Sequence, residues 1–278
     1  MPLVNEPNEA YHASDPVSKT TLWTMWSKTP FHARFGVRKP TSATEFGSAA
    51  HLAVLEPDAF EARVYRGPDV RKNTNEWKRF EDMCAAHHAI GLKPDEYDLV
   101  IAIRDTAHTI EPLRIARSGQ TLVEQSAYGT DPETGIAYKT RPDLFNVPHG
   151  IMLDLKNMAS ASAGAFQRDV GKFGYHVQRA MYPEVWENAT GMAVEAFFFV
   201  VLEKSEPPTF ACYELSPSAI AEGHAIYRSA LSRYAECLRN DDWPGYPSGV
   251  QMIGLRKYDY RLTPAPDGEE IQEMGENE

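Results

Sequence analysis

Residues 121–157 read TLVEQSAYGTDPETGIAYKTRPDLFNVPHGIMLDLKN, and this stretch decides the fold. TLVEQSAYGTD and GIAYKTRPDLFNV are strand-like, and Asp131-Pro132-Glu133-Thr134-Gly135 between them is a turn signal. The pair predicts a hairpin. His149-Gly150 marks the next turn, and IMLDLKN makes a third strand. Within it Asp154 and Lys156 stand two apart and share one face, while Leu153 and Leu155 point the other way, into the core. A carboxylate and an ammonium on an otherwise apolar strand require a reason, because buried charge is costly unless paired. Taken alone, they read as an ion pair at a strand end.

On the N-terminal side the pattern is helical. SKTTLWTMWSKTPFHARFG reads as a short helix capped by Ser18 and ended near Pro30, with Trp23 and Trp26 on one core-facing side. Residues 44–62 read as a second helix with Pro57 near its end, and 76–91 and 96–118 carry helical periodicity. On the C-terminal side, 160–190 predicts two helices broken near Gly171 to Gly174. VEAFFFVVLEK (194–204) is apolar enough for a strand covered on both faces. TFACYEL should pair with it, and 216–239 forms a long helix with Ser216 as cap and Pro217 at its first position. The prediction is an α/β (α+β) protein with a central mixed sheet flanked by helices. Residues 1–17 are expected to be loosely ordered. A single domain is expected over 18–262, helical in 18–118 with its core at 119–262, followed by an acidic disordered tail at 263–278.

Bulk properties narrow the classes. With 278 residues the chain can bury a large core. No run of eighteen apolar residues occurs, and the polar, acidic start lacks a secretory pattern, so a cytoplasmic location and no membrane partner are expected. Cys84, Cys212 and Cys237 are scattered, which predicts neither a disulfide framework nor an iron–sulfur cluster of four thiolates. The net charge of -11 weighs against nucleic-acid binding, but only as a global sum. The acidic tail supplies much of the excess, bound divalent cations offset carboxylates, and basic residues gather at Arg63, Arg66, Arg71, Lys72, Lys78 and Arg79. That cluster reads equally well as a solvated helix surface. No Walker loop, nucleophile elbow or dinucleotide fingerprint is present, and Cys84-x-x-His87 has no second pair to complete a zinc site. A glycosidase pair of Asp143 and Asp154 would leave Lys156 and His51 without a role.

Arg141-Pro142-Asp143 ends the hairpin's second strand, next in sequence to the strand holding Asp154. Two carboxylates on neighbouring strands can converge on one divalent cation, which acidifies a bound water and neutralises a phosphate. Lys156 can then orient that water or stabilise charge developing on the phosphate. His51, on the small-residue helix of Gly47-Ser-Ala-Ala-His51, reads alone as a core histidine. Gln178 and Tyr182 share a helix face at i, i+4, which alone is commonplace.

Taken together and in order, FGSAAHLAVLEP, LVEQSAYG, KTRPD, MLDLKN and GYHVQRAMYPE resemble the RecB-like branch of the PD-(D/E)XK nucleases, and more narrowly RecE-type phage and prophage exonucleases, over about residues 11–240. The resemblance implies a restriction-endonuclease-like core with Mg2+ as cofactor and Mn2+ as a substitute. It implies His51, Asp143, Asp154 and the Leu155 carbonyl as metal ligands, and Lys156 as the catalytic lysine. Glu124 becomes an acidic catalytic residue near the site, suited to a second metal. Gln178 and Tyr182 contact DNA or brace the site, with Tyr175 and His176 as further DNA contacts. The implied activity is 5′-to-3′ digestion of linear double-stranded DNA from its ends in phage-type recombination, by a homo-oligomer working beside a single-strand annealing protein. The rivals are a catalytically idle DNA-binding protein on the same fold and an endonuclease of that fold.

Overall fold

The computed structural model describes residues 3–37 and 42–254. The chain divides into a unit of Met1–Gly245 and a second of Tyr246–Glu278. Residues 246–254 of the second unit contain no helix or strand. The stretch 255–262, expected to close the nuclease domain, and the acidic tail expected at 263–278 lie outside the described residues.

The larger unit opens with β1 (Leu3–Val4), α1 (Asn8–Ala13), α2 (Lys19–Ser27), α3 (Pro30–Phe35), α4 (Ser42–Leu55) and α5 (Pro57–Arg63). Then come β2 (Val64–Arg66), α6 (Asn75–Ala86), β3 (Ile90–Leu92), α7 (Pro94–Ala107) and α8 (Glu111–Ala116). The chain continues with β4 (Thr121–Val123), β5 (Ser126–Thr130), β6 (Ala137–Thr140), β7 (Leu144–Asn146) and β8 (Ile151–Met158). It ends with α9 (Ala163–Phe173), α10 (Tyr175–Thr190), β9 (Ala196–Glu203), β10 (Thr209–Tyr213) and α11 (Pro217–Asn240).

Prolines and caps explain where the expected helices split. Pro30 opens α3, with Thr29 accepting from the His32 N–H as its cap, instead of closing α2. Pro57 likewise opens α5. The helix expected over 76–91 stops at Ala86, and Ile90–Leu92 pairs in parallel with β2. At Gly91 a Cβ would stand 2.6 Å from Phe80, so only glycine lets β3 pack this closely on α6. The helix expected over 96–118 divides into α7 and α8.

Loose order is expected over residues 1–17, and of these residues 3–17 are described and differ from it. Tyr11 of α1 is buried, and Lys139 Nζ donates to the Tyr11 and Ser14 carbonyls at 2.6 Å each. A buried ammonium with backbone acceptors anchors this segment. Trp26, expected in the core, is 51% exposed, while Trp23 packs edge-on against His176.

The main sheet has the order β10-β9-β8-β7-β4; β8 and β9 run parallel and the other pairs antiparallel. Helices cover both faces. Leu153 and Leu155 join Val200 and Leu202 in a core with Ala50 and Val54 of α4, Val100 and Ile103 of α7, and Leu113 of α8. Met152, Phe197, Phe199 and Val201 pack on the other face against Phe166 of α9 and Trp186 of α10. Leu22 and Met25 of α2 meet Met181 and Val185 of α10 and Tyr227 and Leu231 of α11 in a third cluster.

The predicted hairpin exists, but it bends between two sheets. β4 pairs with β7 in the main sheet, whereas β5 pairs with β6 in a three-stranded sheet of order β1-β5-β6. One strand turns at Glu124, whose φ is +49°, and the other at Arg141 to Asp143. The Glu124 N–H donates to the Asp143 carbonyl at 3.1 Å and stitches the bends together. A left-handed backbone at a glutamate costs about 1–2 kcal/mol, a strain typical of functional sites.

Candidate active site

The bend sets the site. Asp143 lies one residue before Leu144, which pairs with Leu153, so it stands beside Asp154 at the end of the β7–β8 ladder. Its Oδ2 accepts the Leu155 N–H at 2.6 Å. On β8, Asp154 and Lys156 share the face opposite Leu153 and Leu155, as the spacing requires. The small residues Ala49, Ala50 and Ala53 of α4 are fully buried and let this helix lie close to the sheet. That close approach brings His51 Nδ1 to 3.6 Å from Asp143 Oδ2 and 4.0 Å from Glu124 Oε1. Glu124 is held from its far side by Arg141, Nε to Oε2 at 2.7 Å.

Across the site, Lys156 Nζ lies against Asp154 Oδ1 and 3.3 Å from Gln178 Oε1. Gln178 Nε2 donates to Asp154 Oδ2. One buried glutamine of α10 thus braces both the acid and the lysine. The ammonium also sits 4.6 Å from the centre of the Tyr175 ring. These groups open onto a cleft of about 860 Å³ that Tyr182, Arg63, His88 and residues 5–9 also line.

The electrostatics are those of carboxylates crowded out of water. Burial, followed by the charge of Asp154, raises Asp143 to about 7 despite the neighbouring His51. Burial disfavours the His51 imidazolium, yet Asp143 and Glu124 outweigh it and raise that group to about 9. For Glu124 burial is overcome by hydrogen bonds from His51 and Arg141, which hold it below the ordinary range. Lys156 is raised, with burial opposed by Asp154 and Asp143. Burial also lifts the Tyr182 and Tyr175 phenols.

His51, Glu124 and Asp143 each offer one ligand atom, all within 4.8 Å of one another. One imidazole and two carboxylates suit a divalent cation of the Mg2+ or Mn2+ kind, and the burial and neighbouring carboxylate charge that raise Asp143 are what a cation would offset. Asp154, expected as a ligand, stands outside this cluster because Lys156 and Gln178 occupy its oxygens. Leu155 turns its side chain into the core, 1% exposed, and its N–H toward Asp143. Tyr175, Gln178 and Tyr182 line the cleft. His176 does not reach it: 8% exposed, its Nδ1 lies 3.1 Å from the Val170 carbonyl and its ring packs on Trp23. The adjacent Tyr175 faces the site, so a helix of 3.6 residues per turn aims His176 about 100° away. Arg141 was missed as a site residue, although it stands in the Arg-Pro-Asp motif. The Asn5–Glu9 wall had no signal beyond its polarity.

A family described as a PDDEXK-like domain of unknown function (DUF3799) matches residues 28–255, and the chain belongs to it. Among solved structures, a candidate exonuclease from Eubacterium rectale is 16% identical, with a TM-score of 0.58 over 95% of this chain and 100% of its own. It shares the fold. A phage-related exonuclease from Haemophilus somnus aligns over 84% of this chain and 99% of its own at 13% identity, with a TM-score of 0.34. No curated protein matches. Among the described residues no helix is long and apolar enough to cross a membrane.

Proposed function

We propose that this protein is a divalent-metal-dependent deoxyribonuclease that degrades linear double-stranded DNA from its ends. The observation that carries the reading is the convergence of His51, Glu124 and Asp143, from three separate stretches of the chain, opposite a lysine braced by Gln178. A cation bound there, Mg2+ or Mn2+, would acidify a water and neutralise the scissile phosphate. Asp143 and His51, with Glu124 beside them, would hold it; Asp154, with the Leu155 carbonyl, would become a further ligand by giving up its contact with Lys156 or Gln178. Lys156 is charged and aimed into the cleft. Its ammonium would orient the attacking water or stabilise the phosphate's developing charge. Gln178 positions Lys156, and Tyr182 and Tyr175 offer aromatic surface to the nucleotide beside the scissile bond.

The order of motifs supports a RecE-type exonuclease with 5′-to-3′ polarity, acting as a homo-oligomer beside a single-strand annealing protein in recombination. The Eubacterium rectale structure, described as that of an exonuclease, agrees with the exonuclease part of this reading alone. Purified protein would be incubated with linear and closed-circular duplex DNA, with magnesium and with chelator, beside Lys156→Ala. Loss of linear DNA alone, requiring both magnesium and Lys156, supports the exonuclease. Cleavage of the circle would establish an endonuclease instead, and binding without cleavage an idle module.

A further inference from the structure

Residues 63–79 carry six cations, Arg63, Arg66, Arg71, Lys72, Lys78 and Arg79, against two carboxylates, Asp69 and Glu76. The chain as a whole has a net charge of -11. The fold spreads this charge along one small module. β2 and β3 pair in parallel, Val64 with Ile90 and Arg66 with Leu92. The end at which both strands begin, next to Arg63 and His88, lines the cleft. At the other end the Gly67 N–H donates to the Leu92 carbonyl at 2.7 Å, and the loop with Arg71 and Lys72 follows. α6 starts there, capped by Thr74, and runs back with Trp77 and Cys84 buried and Lys78 and Arg79 exposed.

Glu76, Glu81 and Asp82 share α6 with Lys78 and Arg79 but pair with neither among the described residues. Arg66 is committed to Asp98 at 2.9 Å, and Glu81 accepts from Trp77 Nε1 at 2.6 Å. Lys72 lies 5.4 Å from the Trp77 ring centre. Arg71, Lys78 and Arg79 are exposed and form no ion pair among the described residues. Exposed positive charge free of ion pairs near a cleft attracts polyanions even on an acidic protein.

We propose that this module carries the phosphate backbone of DNA outside the cleft, with Arg71, Lys78 and Arg79 as the contacting cations. The proposal rests on the nuclease reading and names the surface along which its substrate continues. The three residues of β2 span about 10 Å, at roughly 3.3 Å each. That distance equals about three base pairs at roughly 3.4 Å per phosphate along one strand. The contacts therefore fall about three base pairs beyond the cleft mouth, and such contacts position DNA without reading its sequence.

Binding of a fluorescent linear duplex to Lys156→Ala protein would be measured over a salt series, with and without Arg71→Ala/Lys78→Ala/Arg79→Ala. Each lost phosphate contact removes about 0.9 from the slope of log affinity against log salt. The triple variant should therefore flatten it by about 2 to 3 and bind about tenfold or more weakly at low salt. In the wild-type background the same triple should hydrolyse bis(4-nitrophenyl) phosphate, small enough to occupy the cleft alone, at the unmodified rate. Arg114→Ala/Arg233→Ala, on α8 and α11, should change neither measurement. An unchanged slope and affinity overturns the proposal, as does an equal loss of small-substrate hydrolysis. If the Lys156→Ala parent binds no duplex at any salt, the nuclease reading falls and this path with it.

Discussion

Gln178→Met tests the bracing of the site. The side chain is 4% exposed on α10, and methionine keeps its length while removing both polar ends. In the native arrangement Nε2 donates to Asp154 Oδ2 and Oε1 accepts from Lys156 Nζ at 3.3 Å. The substitution leaves Asp154, itself 3% exposed, short of one donor and lets Lys156 swing. Hydrogen bonds to charged groups contribute about 1.5–3 kcal/mol, so urea unfolding should show a loss of about 2 kcal/mol. If half or more of that also stabilises the transition state through Lys156, kcat on linear DNA falls about fivefold to thirtyfold. KM should stay within about twofold, because Gln178 acts through the lysine. Gln178→Glu should do worse, since it places a third carboxylate against Asp154. Stability lost with kcat intact would make Gln178 a structural residue only. A kcat and a midpoint both equal to wild type would refute the reasoning.

Three further outcomes are expected. His51→Ala should weaken Mn2+ binding by about tenfold or more in titration calorimetry. In the wild type that affinity should rise with pH, because protons on Asp143 (about 7) and His51 (about 9) compete with the cation; a flat profile would sink the assignment. Arg228→Met strips the guanidinium from the buried Asp131, whose carboxyl is held below its ordinary 3.8 against burial by Arg228 and Thr134. A depressed carboxyl stabilises above its unfolded value and loses that contribution as pH falls through the folded one. The variant should therefore be weaker by about 3 kcal/mol at pH 7, with the gap closing below about pH 4. Equal gaps at both pH values would contradict this. Gly174→Ala, at φ +67° and with a Cβ 2.5 Å from Trp23, should cost about 1–3 kcal/mol, and an unshifted melting curve would show that the α9–α10 joint does not need glycine.

Much of the fold was legible because its signals are local. The alternation in IMLDLKN, the turn at Asp131 to Gly135 and the apolar VEAFFFVVLEK each state a strand without reference to anything distant. Breaks were less legible: Pro30 and Pro57 announce a boundary, but only packing decides whether a proline closes one helix or opens the next. β3 was invisible as a strand because three residues carry no period, and it exists because β2 lies beside it and Gly91 fits under Phe80.

The residue types and their spacing settled that Asp154 and Lys156 share a face, that Asp143 precedes them on a neighbouring strand, and that His51 lies on a helix able to pack closely. Those are consequences of pleat, turn and side-chain size. Only the tertiary structure decided which groups meet. The bend at Glu124, against its backbone preference, brings that carboxylate to His51 and Asp143, while Gln178 and Lys156 take up the oxygens of Asp154. The same rotation of α10 that presents Tyr175 and Gln178 to the cleft sends His176 into Trp23. Convergence of side chains from α4, the bend after β4, β8 and α10 depends on how layers stack and strands change sheets, and stacking is fixed by contacts far apart in the chain.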